Sequence, residues 1–161
     1  MPPLKLRHSV RAIILDEKDR VLLCRCVLPG EVVWVTPGGG VEEGGSMHAA
    51  LKRELHEEVG LVFDAPLPHV WQQRLIGSAY ARGHDGVRND YFLVRTSAFE
   101  PVGALSEDEL VAESITAIRW WDLKEIAEYR GPELFGPHNL AAALRALLVE
   151  GVPVHPLPLG P

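Results

Sequence analysis

The chain has 161 residues, 47% hydrophobic and 24% charged, the balance of a soluble globular protein and a length suited to one domain rather than two. The formal net charge is -6 and no block of lysine and arginine forms a track for a nucleic-acid backbone, which argues against duplex binding. No apolar run approaches ~18 residues, so neither a transmembrane helix nor membrane insertion is expected, and Met1–Arg7 lacks the apolar stretch of a secretory signal.

A chain of this length buries roughly 70% of its unfolded surface and needs neither disulfide nor structural metal merely to fold. The segment His8–Leu15 is β-rich, Asp16–Asp19 reads as a turn and Arg20–Val27 as a second strand, together a hairpin. Cys24 and Cys26 lie two apart on that strand, on one face, with no second pair to complete a zinc site. Buried, reduced thiols are expected, and with them a cytoplasmic location. Val32–Val35 is a short extended run before Pro37, and Gly38-Gly39-Gly40 suits neither helix nor strand.

Ser46–Val59 reads as a helix, with Ser46 as N-cap and Gly60 as the terminating glycine. Val70–Ala81 and Asn89–Ala98 read as strands joined by a loop over 82–88. Ser106 and Glu109 form a capping box for a short helical turn. Ile115–Trp121 is a further strand, Asp122–Tyr129 a helix, and Asn139–Glu150 a clearer helix ended by Gly151. The tail 151–161 is proline-rich and extended, either a strap across the domain or an arm for a second copy in a homodimer. The element order predicts an α/β fold, a mixed sheet covered by helices, as a single domain over 1–161.

Chemistry concentrates between Trp34 and Leu61. At about 100° per residue, Glu54, Glu57 and Glu58 share one narrow helix face, with Leu51, Leu55 and Val59 beside it. Arg53 stands four residues before Glu57, placed to hold that side chain. Three close carboxylates repel one another unless they are solvated or share a hard cation, and their oxygen ligands suit magnesium or manganese. The glycines before the helix admit a ligand close to the backbone, and a helix N-terminus favours phosphate. A metal–diphosphate site fits these features; a solvated acidic face fits the glutamates alone.

The stretch from Gly39 to Leu61 resembles the signature of the Nudix hydrolases (MutT-like): Gly39, then Arg53, Glu54, Leu55, Glu57, Glu58, Gly60 and Leu61 at the family spacing. Position 45 departs from it, with Gly45 where the family carries a glutamate that orients the charged groups; Glu42 and Glu43 lie nearby. The resemblance implies a Nudix-type α/β/α sandwich. It implies metal-dependent hydrolysis of a pyrophosphate bond in a nucleoside diphosphate linked to another moiety X, with Mg2+ or Mn2+ as cofactor and a small nucleotide as partner. The alternative is a catalytically weak Nudix-fold domain that binds a nucleotide or regulates, which Gly45 keeps open.

By resemblance, Glu57 and Glu58 are side-chain metal ligands, with the Gly38 carbonyl as an additional one. Glu54 is a further ligand or the general base, and Arg53 orients the carboxylates. A later loop supplies a base or extra ligand in such proteins, and Glu107, Asp108, Glu109 and Glu113 are the candidates, Glu113 and Glu109 foremost. Gly39, Gly40, Arg74, Tyr80 and Arg82 are candidate substrate contacts, with His84 and Arg88 beside them. Trp34, Trp71, Trp120 or Trp121 could stack a base, though Trp120 and Trp121 face opposite ways. Position 77, proline in the ADP-ribose subtype, is Gly77; Tyr80 lies near, at a different offset, the tyrosine of the dinucleoside-polyphosphate subtype.

Overall fold

A computed structural model describes residues 2–161. In chain order the elements are β1 (Leu6–Leu15), β2 (Val21–Leu28), β3 (Glu31–Val35), β4 (Gly38–Gly40), α1 (Met47–Glu58), β5 (His69–Ile76), β6 (Gly86–Arg95), α2 (Glu107–Ala112), β7 (Ile115–Trp121), α3 (Leu123–Glu128), β8 (Leu134–Gly136), α4 (Leu140–Glu150) and β9 (Leu157–Leu159).

β1 is central because both of its faces are apolar. Val10, Ala12 and Ile14 turn to one side, Ile13 and Leu15 to the other, and all are fully buried. The strand runs parallel to β6 along its whole length, from Leu6 opposite Gly86 to Leu15 opposite Arg95. The sheet order is β8-β3-β2-β1-β6-β5-β9, with β4 joined to β1 and β7 to β2. Pairs β1·β6, β3·β8 and β5·β9 are parallel and the rest antiparallel, so the sheet is mixed. On one face α1 packs Ala50, Leu51, Leu55 and Val59 against Val10, Ala12, Ile14 and Leu22. On the other, α3 and α4 bring Ile126, Leu140, Leu144 and Leu147 to Ile13, Leu15, Trp71 and Trp121. This is the α/β/α sandwich expected from the sequence.

Several local expectations are revised. The first two strands meet at Leu15 and Val21 around a turn tied by Asp16, whose carboxylate accepts from the backbone N–H groups of Lys18 and Arg20 and from the Arg20 guanidinium. Beyond that turn they part: β1 continues against β6 and β4, and β2 against β3 and β7. Gly38–Gly40 is a strand after all, paired antiparallel to Ser9–Arg11. The lack of side chains is what lets it approach, since a Cβ on Gly38 (φ +152°) would overlap the Val10 carbonyl. β5 stops at Ile76 and β6 starts at Gly86, so the loop is 77–85, opened by Gly77 at φ +146°. The tail lies along β5 as the parallel strand β9, Trp71 opposite Leu157 and Gln73 opposite Leu159. Among the described residues no helix is long and apolar enough to cross a membrane.

Candidate active site

α1 begins where the Ser46 hydroxyl accepts the Ala49 N–H at 3.1 Å, and its last carboxylate, Glu58, is buried against the sheet. Glu54 and Glu58, one turn apart, face the backbone of β4. The Gly38 N–H donates to Glu58 Oε1 at 3.0 Å. A Cβ on Gly39 would overlap the Glu54 carboxyl, so the glycines of β4 make room for these acids. Glu113, the C-cap of α2, reaches the same place, and carboxylate oxygens of Glu54, Glu58 and Glu113 all lie within 4.8 Å of one another. The three acids line a cavity of about 560 Å³ together with Arg7, Arg11, Thr36 and Tyr80. It adjoins a second cavity of about 370 Å³, walled by Gln73, Asn89, Tyr91 and Pro161; Arg7, Arg11, Thr36 and Tyr80 line both.

Electrostatics follow from this convergence. Burial lifts the Glu58 pKa to about 8; Arg11 and the Gly38 N–H pull it down, and Glu54 and Glu113 push it further up. Burial also raises the Glu54 pKa, while the Arg53 guanidinium opposes the rise and the charges of Glu57 and Glu113 add to it. Burial likewise raises the thiol pKa values of Cys24 and Cys26, both free and both on the cavity wall. Three all-oxygen donors at this spacing fit a hard divalent cation.

The other candidates divide by position. Glu57 lies outside the convergent set and does not line the cavity. Arg53 does not reach it: its guanidinium donates to the Gly40 carbonyl at 3.2 Å and to Glu54 Oε1 at 3.3 Å, with Glu42 Oε1 3.7 Å away. Glu109 completes the capping box, accepting the Ser106 N–H at 3.1 Å, and Glu107 and Asp108 are exposed in the first turn of α2. Gly39, Gly40 and Tyr80 line the larger cavity, whereas Arg74 and Arg82 line neither. His84 turns back on the Arg82 carbonyl, and Arg88 lies 3.1 Å from Asp90 on the opposite face of the sheet. The four tryptophans are structural. Trp34 donates to Glu133 and packs edge-on against Trp121, Trp71 is buried on Tyr91, and Trp120 donates to the Phe99 carbonyl.

Sequence reasoning missed Arg7, Arg11, Gln73 and Asn89, which complete the cavity walls. Alternation was the available signal: Arg7, Ser9 and Arg11 recur at period two on β1, opposite Val10 and Ala12. Starting the strand at His8 left Arg7 outside it.

Similarity to known proteins agrees with the geometry. The family model for the NUDIX domain matches residues 5–144. A nucleoside triphosphatase NudI of Escherichia fergusonii is 30% identical over 130 residues, covering 76% of this chain and 87% of that protein. An RNA pyrophosphohydrolase of Teredinibacter turnerae is 47% identical over 55 residues, 34% of this chain and 32% of that one. The MutT protein of Methanosarcina mazei superposes with a TM-score of 0.67 at 20% identity, over 93% of this chain and 98% of its own, a likeness of fold. With the family model spanning most of the chain and two of the signature acids, Glu54 and Glu58, gathered with Glu113 in one cleft, the chain belongs to the Nudix family and is a Nudix-type pyrophosphohydrolase.

Proposed function

We propose that the chain hydrolyses a nucleoside diphosphate linked to a further group X, with Mg2+ or Mn2+ held by Glu54, Glu58 and Glu113. The observation that carries this reading is the convergence of those carboxylates in a cleft that also holds Arg7 and Arg11. A divalent cation held there would screen the diphosphate charge and polarise its P–O bonds. The Gly38 carbonyl is a further donor on the same wall. Glu57 adds negative charge beside Glu54 from outside the set.

Each side chain then has work of its own. Glu58 would hold the cation in its ionised form. Glu54, whose proton affinity exceeds that of an ordinary carboxylate, is suited to take a proton from the attacking water where Glu58 and Glu113 alone hold the metal. Water attacks one phosphorus and the bridging oxygen departs with the other phosphate. Arg53 positions Glu54 and ties it to the β4 backbone. Arg7 and Arg11 offset the negative phosphates, and Gly39, Gly40 and Tyr80 wall the cleft. Glu42, near Arg53, supplies part of the orientation that a glutamate at position 45 gives in the family.

The name of the relative from Escherichia fergusonii supports nucleoside triphosphates as the first substrates to try. A panel of these, with ADP-ribose, dinucleoside polyphosphates and nucleotide sugars, is incubated with Mg2+, Mn2+ or chelator and the products are weighed by mass spectrometry. Metal-dependent cleavage between phosphates is expected, and the best substrate names X. Gly45 favours a second reading, a domain that binds nucleotide with little turnover. Binding without cleavage under both metals selects it.

A further inference from the structure

The smaller cavity has a hydrogen-bonding polarity fixed by the chain's own tail. The Gly160 backbone carbonyl can only accept, and Gln73 Nε2 donates to it at 2.6 Å. That contact decides which way the Gln73 amide is turned, and Gln73 is nearly fully buried. Its Oε1 therefore faces the other way, where it accepts from Asn89 Nδ2 at 2.9 Å and from the Tyr91 hydroxyl at 3.3 Å. Asn89 is fixed in turn. With its nitrogen committed to Gln73, its Oδ1 is left, and among the described residues that oxygen accepts no hydrogen bond. Asn89 is half-buried and sits on the cavity wall.

From this relay we infer that Asn89 determines specificity, its side-chain carbonyl accepting a hydrogen bond from an exocyclic amino group on the substrate's ring, with Gln73 and the Gly160 carbonyl as positioning groups. The inference rests on the nucleotide reading of the adjoining cleft. The cavity lies on the far side of Arg7 and Arg11 from the carboxylates, so a nucleotide whose phosphates lie between those groups extends its base toward Asn89. A lone acceptor discriminates among rings. The amino groups of adenine and cytosine donate to it freely. Hypoxanthine and uracil carry a carbonyl at that position, which repels it, and leave the Asn89 oxygen unpaired.

Binding of monophosphates tests this without requiring turnover. The full chain is titrated calorimetrically with adenosine and inosine 5′-monophosphates, then with cytidine and uridine 5′-monophosphates; each pair differs at that one position. The amino member of each pair binds about tenfold tighter, the worth of one hydrogen bond. Asn89→Ala brings each pair within about twofold. Gln73→Leu keeps Asn89 but frees its amide to turn, and narrows both ratios; should that variant fail to fold, Asn89→Ala decides alone, its side chain being half-exposed. Equal affinities within each pair, no binding of any of the four, or ratios unchanged in Asn89→Ala overturn the inference. Selective binding with no cleavage of any phosphate anhydride would instead overturn the hydrolase reading and leave this one standing.

Discussion

A carboxylate taken out of water beside two others is unfavourable for the empty protein, and Glu58, 4% exposed, is in that position. Its folded pKa of about 8 stands above the ordinary value of 4.5, so the folded chain holds a proton that the unfolded chain releases. The metal-free protein therefore loses stability as pH rises from about 4.5 through about 8, and keeps that contribution below this window. Glu58→Gln retains an oxygen for the Gly38 N–H and carries no charge. We expect it to raise the melting temperature of the chelated protein at pH 8.5 and to flatten its pH dependence, while turnover falls at least about tenfold. Thermal scans across pH, beside a kinetic assay, check both halves. The convergence also ranks the acids. Glu54→Gln matches Glu58→Gln in lost turnover, Glu113→Gln mainly raises the metal concentration needed, and Glu57→Gln costs least. Metal titrations of activity in the four variants give the order, and an equal loss in Glu57→Gln would return that residue to the ligand set.

At the scale of elements, the loop and cap ahead of α1 set where the acids stand. Ser46→Ala removes the one side-chain bond to the first turn and is expected to cost about 1 kcal/mol in urea unfolding. Gly45→Glu restores the family pattern. A Cβ there meets the Glu42 carbonyl at 3.0 Å, so the turn over 42–45 must give by a few tenths of an ångström, which an exposed loop can do. Activity at saturating metal is expected to hold or rise, and the effect of Glu42→Gln to shrink in that background. A large loss in a folded Gly45→Glu protein would mean that the loop is built around glycine. Much of this was legible in the sequence: α1, its cap and its acidic face follow from periodicity and from Ser46, and the six longer strands, though not their order in the sheet, from β-rich runs. The pairing of β4 was not, because three glycines carry no side-chain pattern and their role is closeness to Val10 and Glu54. Nor was the choice between Glu109 and Glu113. A capping box accounts for the first, and only the fold brings the second, 55 residues on in sequence, to Glu58. Arg53 was expected beside Glu57 by helical spacing, but the β4 carbonyl and Glu54 hold its guanidinium instead.

For the whole molecule, the proposed ligand set would make metal binding and proton release one event, because Glu58 would have to lose its proton to serve as a ligand. The apparent Mg2+ affinity is expected to rise about tenfold or more from pH 6 to pH 8. The increase in melting temperature on adding saturating Mg2+ should grow over the same interval, and differential scanning at several pH values measures it. A Mg2+ effect independent of pH would mean that Glu58 stays outside the metal's ligand shell.

The two ends of the sheet carry a consequence for how the protein behaves in company. The strands that end the path β8-β3-β2-β1-β6-β5-β9 are each three residues long; Pro137 follows the first and Pro158 sits within the second. A proline offers no N–H, and so short an edge gives an incoming strand little to copy. Those two ends are thereby closed to strand addition, and any stacking of molecule on molecule in concentrated solution should run through β7, whose far edge pairs with no strand among the described residues.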